Sequence, residues 1–168
     1  MSKWCRALTD PMLSQRHDFI LQQIELLRQF VTRLVNDYQP ARSDEALRLA
    51  LGLQERLFPL PVAEFLQLDA AAQFTALRRQ PSPSDALETC LTYVELLVHT
   101  ATLYELRGRD DLASGARQLA LHLALLAYHD EPTTAAASLV PLLRTLLGTE
   151  PIHPPVQELL AAFDAATT

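Results

Sequence analysis

The densest apolar run in the chain is 119–128, Leu-Ala-Leu-His-Leu-Ala-Leu-Leu-Ala-Tyr, which only His122 interrupts. A surface helix shows one apolar stripe, whereas a helix that is apolar all round is buried all round. Crossing a bilayer takes roughly 20 such residues, so this run is too short to span one. It predicts a central helix over 112–128 with other helices packed around it. A second pattern lies near the start: Ile20, Ile24, Leu27, Val31, Leu34 and Tyr38 recur at intervals of four and three. That spacing predicts a long helix over 14–38, with Gln22, Glu25, Gln29, Thr32, Arg33 and Asn36 turned away from the stripe. The stripe fits a helix packed on its own core, or one that also pairs with a second copy in a homodimer.

The remaining boundaries follow from caps and breakers. After the linker 39–42, Ser43 is the expected N-cap of a helix over 44–58, with Leu47, Ala50, Leu51, Leu57 and Phe58 inward. Pro59 and Pro61 close it, and a short helix within 60–68 follows. Asp69 caps a helix to 79 that turns Phe74 and Leu77 inward. The 80–84 stretch breaks the chain. Ser82, Pro83 and Asp85 then form a helix start of the capping-box kind. The helix to 107 carries the stripe Leu87, Cys90/Leu91, Val94, Leu97/Val98, Ala101 and Tyr104, and Gly108 ends it. Asp110 or Asp111 caps the helix over 112–128. Further helices are expected over 133–147, with Pro141 as a kink or a new start, and over 156–166, after a rigid turn at Pro151, Pro154 and Pro155. In the last, Val156, Leu159, Leu160 and Phe163 face inward. Residues 1–12 lack periodicity and are read as an N-terminal arm anchored by Trp4 and Leu8.

Composition supports this reading. Leu occurs 34 times and Ala 23 times, against three Ile and seven Val, and Leu and Ala favour helix where β-branched residues favour strand. The expectation is an all-α fold: one domain, 1–168, built as an antiparallel multi-helix bundle of about seven helices. It divides into the arm 1–12, N-terminal helices over 14–79, a central hairpin over 82–128 and C-terminal helices over 133–166. The net charge of −6 is uneven: residues 1–84 hold ten Lys+Arg and nine Asp+Glu, residues 85–168 four and eleven. An acidic chain of this kind argues against nucleic acid and anionic membranes as partners. The N-terminus has no apolar signal-peptide core, so a cytoplasmic location is expected. Cys5 and Cys90 are far apart, and Cys90 reads as a small buried hydrophobe.

Ala101, Tyr104, Gly108, Ala113 and Ala120 stand where a tetratricopeptide hairpin places a small residue, an aromatic, the turn glycine and two alanines. The 82–128 hairpin therefore resembles one degenerate tetratricopeptide-like repeat. It departs from that pattern at Arg117, where a large aromatic is expected, and at Leu125, where a proline is; no second copy occurs at a 34-residue period. The order of long N-terminal helix, hairpin and short C-terminal pair is similar to a bacterial all-helical family of unassigned function. The resemblance implies a helical scaffold that binds protein segments.

Motifs for chemistry are sparse. Phosphate-binding glycine loops and the Gly-x-Ser-x-Gly elbow are absent. The one Glu-x-x-His spacing, Glu150 to His153, falls in a proline-rich turn, so no metal and no cofactor are expected. Glu95 and His99, four apart, read as a helix-surface pair. His122 interrupts the buried run and must be satisfied by a hydrogen bond or belong to a ligand site. The candidate binding residues are Tyr93, His99, Tyr104, His122 and Tyr128; none is assigned a catalytic role, and the balance leans away from an enzyme. Three readings follow. The first is a non-catalytic protein–protein interaction or scaffold module with a protein partner. The second is a small-molecule binder or enzyme with a pocket near His122 or His99. The third is a DNA-binding helical regulator using 60–79, a segment that lacks a turn glycine.

Overall fold

The computed structural model describes residues 2–79 and 83–168, with side chains over 18–79 and 85–168. The described residues are all-helical, without strands. They form eight helices: α1 (Ser2–Asn36), α2 (Pro40–Leu57), α3 (Val62–Leu66), α4 (Ala70–Leu77), α5 (Pro83–Leu106), α6 (Asp110–Asp130), α7 (Thr134–Leu147) and α8 (Pro154–Thr167). The count is eight rather than about seven because the short turn of helix after Pro61 is an element of its own.

Several boundaries differ from expectation, each for a local reason. Helix α1 begins at Ser2, so residues 2–12, read as an N-terminal arm, belong to the first helix. Pro11 lacks only its own N–H, which one long helix tolerates at a cost. The anchors Trp4 and Leu8, together with Cys5 and the Ser82 cap, lie outside the residues whose side chains are described. At its other end α1 stops at Asn36, which leaves Tyr38 beyond the helix and 42% exposed instead of in the stripe. Helix α2 starts at Pro40, so the supposed linker is its first turn: proline at the first helical position forfeits no bond. Ser43 is then an interior residue, fully buried, with no hydrogen-bond partner for Oγ. Likewise Pro154 and Pro155 open α8 rather than forming a turn before it. Helix α7 runs unbroken through Pro141.

Helix α6 starts at Asp110 with Arg109 at its N-cap, so Asp110 and Asp111 lie in its first turn and neither caps it; the following features are as expected. The Asp69 carboxylate accepts from Ala72 N at 2.8 Å, and Asp85 lies in the first turn of α5. Gly108 takes a φ of +75°. Its N–H donates to the Glu105 carbonyl at 3.0 Å and that of Arg109 to the Tyr104 carbonyl at 2.9 Å. This is the paired bonding of a Schellman turn, and it reverses α5 into α6 within three residues.

Burial divides into two cores. The larger surrounds α6, where Leu121, Leu123 and Leu125 meet Phe65, Leu77, Tyr93, Leu97, Val140, Leu143, Val156 and Phe163. Ala113, Ala120, Ala124 and Ala127 are buried along α6, and these small side chains let neighbouring helices approach closely. The smaller core joins Ile24, Leu27, Val31 and Leu34 of α1 to Ala46, Ala50 and Leu53 of α2 and to Leu96 and Leu103 of α5. So α6 is central to one core only, and α5 is the wall shared by both. A buried hydrogen bond from Gln54 Nε2 to Thr100 Oγ1, at 2.7 Å, fastens α2 to that wall.

Candidate functional site

Short connections make α5, α6 and α7 run up, down and up. Both α5 and α7 pack against α6 and touch one another little. A groove of about 660 Å³ lies between them. Leu87, Leu91 and Val98 line it from α5, and Ala135, Leu139 and Leu142 from α7. The α7 pair has a simple origin. Ala136, Val140, Leu143 and Leu147 form the buried face of that helix. Leu139 and Leu142 form a second apolar row one position earlier, and Leu139 is half-buried against the larger core. Leu142 is 47% exposed.

Glu88, Thr92, Glu95 and His99 lie along the α5 wall, with Glu131 and Thr133 at one end and Arg28 of α1 among the lining residues. The Arg28 guanidinium joins Glu25 on its own helix to Glu95 across the helix interface. His99 Nε2 stands 3.7 Å from Glu95 Oε1. His99 and Arg28 together hold the Glu95 carboxyl below the usual carboxylate range, against the opposing effect of its partial burial. At 3.7 Å the imidazole contact exceeds hydrogen-bond length, and Nε2 is buried without a hydrogen-bond partner. Ser138 Oγ is committed to the Ala135 carbonyl at 2.9 Å.

Of the five candidate residues, His99 lines this groove and the other four do not. Tyr93 is buried in an aromatic cluster, edge-on to Phe58 and Phe65 at 5.4 and 5.9 Å. Its hydroxyl donates to Gln73 Oε1 at 3.5 Å, and burial pushes its phenol upward. Tyr128 packs edge-on to Phe163 at 4.9 Å. Tyr104 is half-buried at the end of α5. His122 is half-buried at the edge of the larger core. Burial pushes its imidazole down; Asp69 opposes that effect and His153 adds to it. His99 and His122 therefore belong to different places. The leucine row of α7 and the cross-helix Arg28 were missed by sequence reasoning. A visible signal existed for the first: α7 carries more leucine than one buried face needs.

Other features narrow the chemistry. Burial pushes the Cys90 thiol up to about 12, which makes it inert as a nucleophile. No group of three His, Cys, Asp or Glu among the described residues is placed to hold a metal. No helix there is long and apolar enough to cross a membrane. Helices α3 and α4 have five and eight residues, and Arg78 at the end of α4 is paired with Asp130 at 2.7 Å. Compared with family models, curated proteins and solved structures, the chain matches none.

Proposed function

We propose that this chain is a non-catalytic protein–protein interaction module that seats an apolar segment of a partner between α5 and α7. One observation carries the reading: exposed Leu142 of α7 lines the groove beside half-buried Leu139, with half-buried Leu91 and Val98 of α5 lining it too. Contiguous exposed apolar surface rimmed by polar residues marks interaction sites, and helix-in-groove binding uses such a trough. The α5–α6 hairpin, read as one degenerate tetratricopeptide-like repeat in an antiparallel bundle, gives the trough a rigid back. The working location is the cytoplasm.

A second reading is favoured by the unpartnered Nε2 of His99 on the same wall: a small molecule that supplies the missing hydrogen bond. The two are separated by affinity purification of tagged wild-type protein and of Leu142→Asp, each followed by native mass spectrometry. The interaction module recovers a protein in stoichiometric amount with the wild type and loses it with Leu142→Asp, while both unfold at the same temperature. Recovery of the bait alone, carrying a bound small molecule, replaces the first reading with the second.

A further inference from the structure

We infer that the cavity at the α1–α2 corner is a binding site for a small molecule that carries a carboxylate or a phosphate on an apolar body. The site is separate from the α5–α7 groove. Residues 37–39 reverse the chain so tightly that the last turn of α1 and the first turn of α2 lie side by side. The cavity there holds about 320 Å³, a volume at the small end of ligand pockets. Its apolar wall is Leu34, buried in the smaller core, and Phe30, half-buried against that core. Arg33 lines it from α1 and Arg42 from α2.

These two arginines define the ligand's charge. Arg28, Arg78, Arg107, Arg109, Arg117 and Arg144 each meet a carboxylate. Arg56 stacks over the Phe19 ring at 5.0 Å, in a smaller cavity that it shares with Arg48. Arg33 and Arg42 have no ion pair and no side-chain hydrogen bond among the described residues, and both are exposed. Arg42 also stands in the first turn of α2, where no acidic residue accompanies it. That end of a helix carries positive partial charge, so a cation there is unfavourable. A residue that breaks a local rule without a gain inside the fold marks a functional position. The lining holds one carboxylate, Asp37, whose Oδ2 accepts from Gln39 Nε2 at 3.3 Å and which pairs with neither arginine. Two unpaired guanidinium groups on one cavity hold a carboxylate or phosphate by charge-assisted hydrogen bonds, and Phe30 and Leu34 receive the apolar body.

The full chain is titrated with phenyl phosphate, benzoate, inorganic phosphate and benzyl alcohol, followed by calorimetry and by NMR of the arginine Nε–H groups. Phenyl phosphate or benzoate should shift the Arg33 and Arg42 signals, and the tighter of the two names the anionic group. Benzyl alcohol, the neutral probe, should bind at least about tenfold more weakly for want of charge-assisted hydrogen bonds. Inorganic phosphate should bind at least about tenfold more weakly than phenyl phosphate for want of the buried ring. Arg33→Gln/Arg42→Gln should abolish binding without changing the unfolding temperature, and Asp37→Asn, which keeps both cations, should tighten it. Leu142→Asp should leave binding unchanged, so this result and the docking reading stand or fall separately. The inference is overturned if neither arginine signal moves, if benzyl alcohol or inorganic phosphate binds as tightly as phenyl phosphate, or if Arg33→Gln/Arg42→Gln binds as the wild type does.

Discussion

Glu95 is the carboxylate on which α1 and α5 meet, and its environment gives stability a pH dependence. Arg28 and His99 lower its folded-state affinity for protons. For a depressed carboxyl, the unfolded chain binds protons first as pH falls. The stabilisation is thus present above the ordinary value of 4.5 and lost as pH drops through the lower folded value. Glu95→Gln should lower stability by about 0.5–1 kcal/mol at pH 7, the scale of a solvent-accessible pair. That gap should close in acid, which urea midpoints at pH 7 and at pH 3 would show; a gap that persists at low pH would assign the loss to packing. Arg117 presents the opposite case. Its side chain is 8% exposed, its charge meets Glu105, and Nε has no hydrogen-bond partner. A large aromatic is the residue of the tetratricopeptide pattern there, and the structure buries an arginine instead. Glu105→Ala should cost about 2 kcal/mol by stranding a buried guanidinium, whereas Arg117→Met, which removes the charge with it, should stay within about 1 kcal/mol of wild type. Denaturant unfolding of the two variants decides this: equal losses would make Arg117 a packing residue whose charge is immaterial.

Among the elements, the glycines separate by conformation. Gly108 holds a positive φ at the α5–α6 turn and Gly115 lies within α6, and an added Cβ at either meets no neighbouring atom. Gly108→Ala should destabilise by about 1–2 kcal/mol from backbone strain alone, and Gly115→Ala should stabilise by about 0.5–1 kcal/mol through helix propensity. Thermal unfolding would show opposite shifts, and a loss in Gly115→Ala would contradict the open space beside it. The same local chemistry explains what could be read from sequence. Asp69 and Gly108 mark helix ends because a cap or a turn depends on residues within four positions. Helix α2 was misjudged because Leu47, Leu49, Leu51 and Leu53 offer leucine to every side. The true inner face carries Ser43, Ala46, Ala50, Leu53 and Gln54, and Leu51, expected inside, is outside. Gln54 could be identified as inward only from its partner on α5, Thr100.

Across the whole molecule, an all-helical chain with α6 at the heart of the larger core was legible from its Leu- and Ala-rich run, but α6 is not buried all round: Gly115, Leu119, His122 and Leu126 form a face that is exposed or half-buried. The division into two cores was not legible, because it depends on which face of α5 meets which neighbour. Periodicity alone cannot say that Leu96 and Leu103 serve one core while Tyr93 and Leu97 serve the other. The groove was equally hidden: the periodicity of α7 does not tell half-buried Leu139 and exposed Leu142 from the core residues beside them. The cores differ in size, and that difference should appear in hydrogen exchange. Amides of α6, at the heart of the larger core, should exchange only through global unfolding, while those of α2 exchange through a lower-energy partial opening. Uniform protection across both helices would mean that the two cores open as one.

The shared wall also has a consequence for synthesis. Helices α1 and α2 leave the ribosome before Leu96 and Leu103, the α5 residues that complete their core. The larger core needs only elements that follow one another closely, from α3 to α8. The α1–α2 hairpin therefore waits with its apolar face uncovered while about forty further residues emerge, at roughly 5–20 residues per second. Over that interval the nascent chain is exposed to aggregation through the α1–α2 face, and α5 is the segment whose arrival ends it.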